Sequence, residues 1–116
     1  MRATLSDRLE HILEAISYLQ QHTGDLTWEQ FIADKFLRLG IERCLEIISE
    51  ASSHLPDEFK QKHAGIPWRQ IADIGNRLRH GYDTVNNQIV WNIVQDDIPA
   101  LKAAVEAAIA SNDREP

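Results

Sequence analysis

Between residues 74 and 83 the chain concentrates groups that can move a proton and hold a phosphate: Asn76, Arg77, Arg79, His80 and Tyr82. Histidine titrates near neutrality, so His80 is a candidate to take the proton from a ribose 2′-hydroxyl or to return one to a leaving oxygen. Arginine presents a planar fork of donors that matches a phosphate as its charge builds in a transition state. Arg77 precedes His80 by three residues, which on a helix places the two on neighbouring positions, and Asn76 precedes it by four, where a carboxamide can orient the imidazole. Tyr82 adds a hydroxyl just beyond. Arg69 and Arg79 are further candidates for phosphate or RNA contact, because between Trp68 and Tyr82 the cations Arg69, Arg77, Arg79 and His80 face a lone Asp73. The ordinary alternative is that a histidine in the last helical turn favours the helix dipole and the arginines are solvated charge.

Other chemistries find little support. There are no paired cysteines for zinc, no glycine-rich phosphate loop and no nucleophile elbow. Glu42, Glu46 and Glu50 recur every fourth residue with His54 four further on, a pattern open to a metal-binding face but equally to a solvated carboxylate stripe, and no metal or cofactor is expected. Cys44 falls on an apolar stripe and reads as a small core residue, as do Trp68 and Trp91, although an exposed indole can also stack on a base. A net charge of −6 argues against a domain that coats nucleic acid, so any RNA contact must be local.

The elements that must carry these residues are helical. Apolar residues recur at three and four, there is no repeat, and only five glycines and four prolines interrupt the pattern. Thr4 with Asp7 and Thr27 with Gln30 have capping-box spacing, so helices are predicted from about residue 5 to Gly24 and, as the longest element, from Thr27 to about Ser53. Gly40 inside the second marks a bend or a close helix approach. A short helix is expected near 56–62 and a fourth from Pro67-Trp68 to Gly81, which puts His80 at a helix C-terminus. A final apolar run from Ile89 is kinked or restarted by Pro99. The fold class is all-α, an antiparallel bundle of four to five helices formed by a single domain over residues 1–110, with residues 111–116 as a frayed tail. With 116 residues, a single cysteine and no apolar span, the expectation is one cytoplasmic domain without a membrane segment.

The segments at 43–51 (RCLEIISEA), 66–72 (IPWRQIA), 76–82 (NRLRHGY) and 89–91 (IVW) give the chain a resemblance to the HepT-like family of the HEPN group, small helical proteins of prokaryotic toxin–antitoxin systems. The resemblance implies a homodimer that joins two copies of the motif into a composite site for metal-independent RNA cleavage. It also implies a minimal nucleotidyltransferase antitoxin that transfers AMP to the motif tyrosine. The family motif is arginine, a polar residue, three further residues, histidine, any residue, tyrosine. Asn76, His80 and Tyr82 match it, whereas the leading arginine falls on Gly75. That departure leaves Arg77 or Arg79 to supply the guanidinium, or else a weak or inactive nuclease that serves as dimeric partner or regulatory subunit of the nucleotidyltransferase.

Overall fold

The structure, a computed structural model, describes residues 4–111, and helix begins as soon as a capping group is available. The Thr4 hydroxyl accepts from the Asp7 N–H at 3.1 Å while the Asp7 carboxylate accepts from the Thr4 N–H at 2.9 Å, so both orphan donors at the start of α1 (Leu5–Thr23) are satisfied. Those bonds from Thr4 hold the Asp7 carboxyl below its ordinary pKa.

The same device at Thr27 and Gln30 opens α2 (Trp28–Ala33), yet the single long helix expected over 27–53 is broken. Asp34 leaves helical geometry at φ −114° and ψ 93°, and its carboxylate accepts from the Leu37 N–H at 2.9 Å, capping a new helix α3 (Lys35–Ser53). A short carboxylate competes with the helical ladder in this way wherever the chain can turn. Arg38 then donates to the carbonyls of Phe31 and Ile32 at the end of α2. The break lets α2 carry the buried Phe31 into a cluster with Trp28 and Trp91, whose ring centroids lie 5.2–5.8 Å apart. Gly40 does not mark a close helix approach, for a Cβ there would meet nothing within 4 Å.

After α4 (Asp57–Lys62), Pro67 stands just ahead of α5 (Trp68–His80) rather than inside its first turn. The Trp68 indole N–H donates to the carbonyls of Lys60 and His63 at 3.2 and 3.1 Å, tying the start of α5 to the end of α4. Trp68 and Trp91 are thus both committed to internal contacts, as expected. A 3₁₀ turn (Tyr82–Thr84) leads to α6 (Asn87–Asn92), a π-helical turn (Ile93–Asp97) and α7 (Ile98–Ser111), which run on without interruption. The helix neither stops nor restarts at Pro99. Proline removes one ladder donor and crowds the carbonyl four residues back, and the wider π turn, closed by the Ile98 N–H on the Ile93 carbonyl, accommodates that conflict.

α3 packs against both α1 and α5, and α7 lies against α1. Leu9, Ile12 and Ile16 of α1, Leu45 and Ile48 of α3, Ile71 of α5, and Leu101 and Val105 of α7 form the core at this junction. The described residues contain helices and turns but no strand, so the all-α reading holds. Of the tail expected to fray over 111–116, Ser111 still belongs to α7, and residues 112–116 lie outside the described residues. No described helix is long and apolar enough to cross a membrane.

Candidate active site

α5 buries Ile71, Ile74 and Leu78 on one face and exposes Asn76, Arg79 and His80 on the other. The imidazole of His80 stands in the last turn, facing solvent and without a hydrogen bond among the described residues. Beyond it, the Gly81 N–H closes the helix on the Arg77 carbonyl at 2.7 Å, and Thr84 returns both its N–H and its hydroxyl to the Gly81 carbonyl. The turn so fixed presents Tyr82 with 79% of its surface exposed, two residues beyond the histidine.

The polar groups around His80 are paired differently from the simplest helical-spacing argument. Asn76 does not orient the imidazole. Its carboxamide oxygen accepts from Arg79 at 2.8 Å, and the other terminal nitrogen of Arg79 faces Glu50 of α3 at 3.9 Å. Glu50 in turn receives the His54 ring nitrogen at 2.9 Å. The chain Asn76–Arg79–Glu50–His54 therefore holds the Arg79 guanidinium from two helices, one residue before His80 in the sequence. Arg77, on the flank of α5 away from Arg79, lines a separate cavity of about 430 Å³ with Gln70, Asp73, Thr84 and Asn86. Arg69 is exposed in the first turn of α5, eleven residues or about 16 Å along the helix from His80, so the structure does not bring it to the others.

Gly75, at the position of the motif arginine, is buried where α5 crosses α3. A Cβ built there would lie 2.0 Å from the Ser49 Oγ, 2.4 Å from the Ser49 Cβ and 3.4 Å from a terminal nitrogen of Arg79. The position has no room for a side chain, and the nearest guanidinium belongs to Arg79. Neither Ser49 nor Glu50 was legible as part of this site, because each meets α5 across nearly thirty residues of sequence and no local spacing announces the contact.

The remaining candidates take structural places. Among the described residues no group of three His, Cys, Asp or Glu side chains is arranged to hold a metal ion. In the Glu stripe, Glu46 faces Arg43 at 3.7 Å and Glu50 faces His54 and Arg79. Cys44 is half-buried on the wall of an apolar groove with Tyr18 and Phe36, and burial pushes its thiol pKa up, the reverse of what a nucleophile needs.

The chain matches the family model described as "Ribonuclease HepT-like" over residues 12–108. It is 40% identical over 106 residues to a protein of Thermococcus cleftensis named "Probable ribonuclease HepT", covering 91% of this chain and 96% of that one. It is 39% identical over 98 residues to a "Putative RNase" of Caldanaerobacter subterraneus subsp. tengcongensis, covering 84% and 88%. No solved structure matches it. With a family model spanning most of its length and relatives of the same size at this identity, the chain belongs to the HepT-like ribonuclease family.

Proposed function

We propose that this chain is a metal-independent endoribonuclease, the toxin of a toxin–antitoxin pair, in which His80 carries proton transfer and Arg79 supplies the guanidinium that the motif lacks at Gly75. The observation that carries this reading is an exposed His80 imidazole in the last turn of the same helix as an Arg79 guanidinium already oriented by Asn76 and Glu50. In the reaction the RNA 2′-oxygen attacks the adjacent phosphorus as His80 accepts its proton. The P–O5′ bond breaks, the 5′-oxygen takes up a proton from a protonated imidazole, and a 2′,3′-cyclic phosphate remains. Two His80 rings, brought together in a homodimer, divide the roles of base and acid. Arg79 stabilises the charge that builds on the phosphoryl oxygens, and its preset orientation lowers the reorganisation needed at that moment.

Silencing follows from Tyr82. A nucleotidyltransferase antitoxin directs the phenol oxygen onto the α-phosphorus of ATP, forming Tyr–O–AMP and releasing pyrophosphate. An exposed phenol two residues past His80 suits this, since it is open to the transferase and carries a bulky anion on the turn that follows the histidine. The second reading, a non-cleaving partner subunit, is favoured by one observation: the motif-arginine position is closed by Ser49.

Purified protein incubated with single-stranded RNA in EDTA separates the two. Cyclic phosphate ends are expected, with His80→Ala lowering the rate by about 10²–10⁴-fold and Arg79→Ala by about 10²–10³-fold. RNA left intact at high protein concentration selects the partner-subunit reading. With the cognate nucleotidyltransferase and ATP, the intact mass should rise by AMP, and not in Tyr82→Phe.

A further inference from the structure

On its α3 side, the motif helix borders a cavity of about 250 Å³ into which α1 sends Arg8 and His11, α3 sends Arg43, Glu46 and Glu50, and α5 sends Arg79. Three of the chain's twelve Lys and Arg side chains meet here on a molecule of net charge −6, so the cluster does not follow from a generally basic surface. Three guanidiniums against two carboxylates leave one positive charge, and two when His11 is protonated. The carboxylates do not saturate the donors. Arg43 stands 3.7 Å from Glu46 and Arg79 3.9 Å from Glu50, both beyond hydrogen-bond length, and Arg8 makes no ion pair among the described residues. Guanidinium forks converging from separate helices with unused donors match the oxygens of a phosphodiester.

We propose that this cavity holds a backbone phosphate of the RNA next to the one that is cleaved, with Arg8 and Arg43 as RNA-binding residues outside the motif. Arg79 joins the two positions, because it lines the cavity and directly precedes His80. The inference rests on the ribonuclease reading. It explains how an acidic chain engages a polyanion: a local cationic recess grips the strand while the acidic remainder of the surface repels it.

The test uses the full chain carrying His80→Ala, so that bound RNA stays intact, and follows fluorescein-labelled single-stranded RNA by anisotropy from low to moderate NaCl. Adding Arg8→Ala or Arg43→Ala should weaken binding roughly tenfold at low salt and reduce the slope of log K against log salt by about 0.7 for each guanidinium removed. Arg43→Lys, which keeps the charge but not the fork, should keep the slope and lose part of the affinity. Lys102→Ala on α7 removes the same charge away from the cavity and should leave both readings unchanged. Equal losses in Lys102→Ala, or unchanged binding in both arginine variants, would overturn the cavity assignment while leaving the ribonuclease reading in place. Displacement of the Arg8- and Arg43-dependent RNA binding by millimolar AMP would reassign the cavity to a mononucleotide. Failure of the parent to bind, together with intact RNA in the wild-type assay, would instead strike the ribonuclease reading itself.

Discussion

Gly75 shows how one residue sets what the site can contain. With no side chain at 75, the backbone of α5 rests on Ser49 and the Arg79 guanidinium occupies the space alongside. Adding even one methyl group forces a shift, since 2.0 Å from the Ser49 Oγ is far inside van der Waals contact. Two effects oppose each other in Gly75→Ala. Helix propensity favours alanine by up to about 1 kcal/mol, whereas overpacking a helix crossing costs about 1–3 kcal/mol. The crossing should win because the obstruction includes the Ser49 Cβ, which rotation of the hydroxyl does not move. Gly75→Ala should therefore lower the thermal midpoint, and Ser49→Gly in the same chain should recover most of the loss. A midpoint unchanged in the single variant would show that the two helices separate freely. An arginine introduced at 75 would meet the same wall, so in the proposed mechanism the guanidinium has to come from another position.

At the scale of the element, α3 serves both core and surface. It supplies the central core residues Ile41, Leu45 and Ile48 on one face, while its opposite face carries Glu42, Glu46 and Glu50. These carboxylates are not equivalent. Burial raises the pKa of Glu42 above its ordinary value of 4.5 despite the nearby Arg38, and Glu46 adds to the rise. A group raised in the folded chain favours the protonated state, so its contribution to stability is full below the ordinary carboxylate range and is lost as pH climbs through the folded pKa. Glu42→Gln should accordingly raise the thermal midpoint at pH 7, and the gain should shrink as the pH falls toward the carboxylate range. Asp7 has the opposite sign: its lowered pKa stabilises the capped end of α1 above the carboxylate range and ceases to do so in acid. A Glu42→Gln gain that is constant with pH would remove burial of the charge as its cause.

For the whole molecule, His80 and Tyr82 lie on the surface, and one chain supplies one His80 imidazole, whereas the proposed mechanism assigns base and acid to two. The proposed chemistry thus requires two copies. Light scattering at micromolar concentration should give twice the 13.3 kDa chain mass. A strict monomer would leave one imidazole to act as both base and acid, and with it the two-histidine mechanism would fail.

Much of this protein could be read from its residues in order. Capping boxes at Thr4 and Thr27, apolar spacing of three and four, and the glycine at 81 are local signals, because helix formation depends on bonds and side-chain contacts within one or two turns. They placed His80 in a last turn and Tyr82 just past it, and the blocks around Trp68 and His80 carried the family. What tertiary structure alone decided is everything that depends on one helix meeting another. Asp34 divides a helix whose apolar pattern is continuous, since breaking it lets Phe31 reach Trp91. Asn76 turns to Arg79 rather than His80, and Glu50 of α3 faces the same guanidinium. Arg69 stands at the far end of α5 from His80, while Arg8 and Arg43, distant in sequence, line one cavity with Arg79. Spacing along a chain specifies the faces of a helix, and only packing specifies what each face touches.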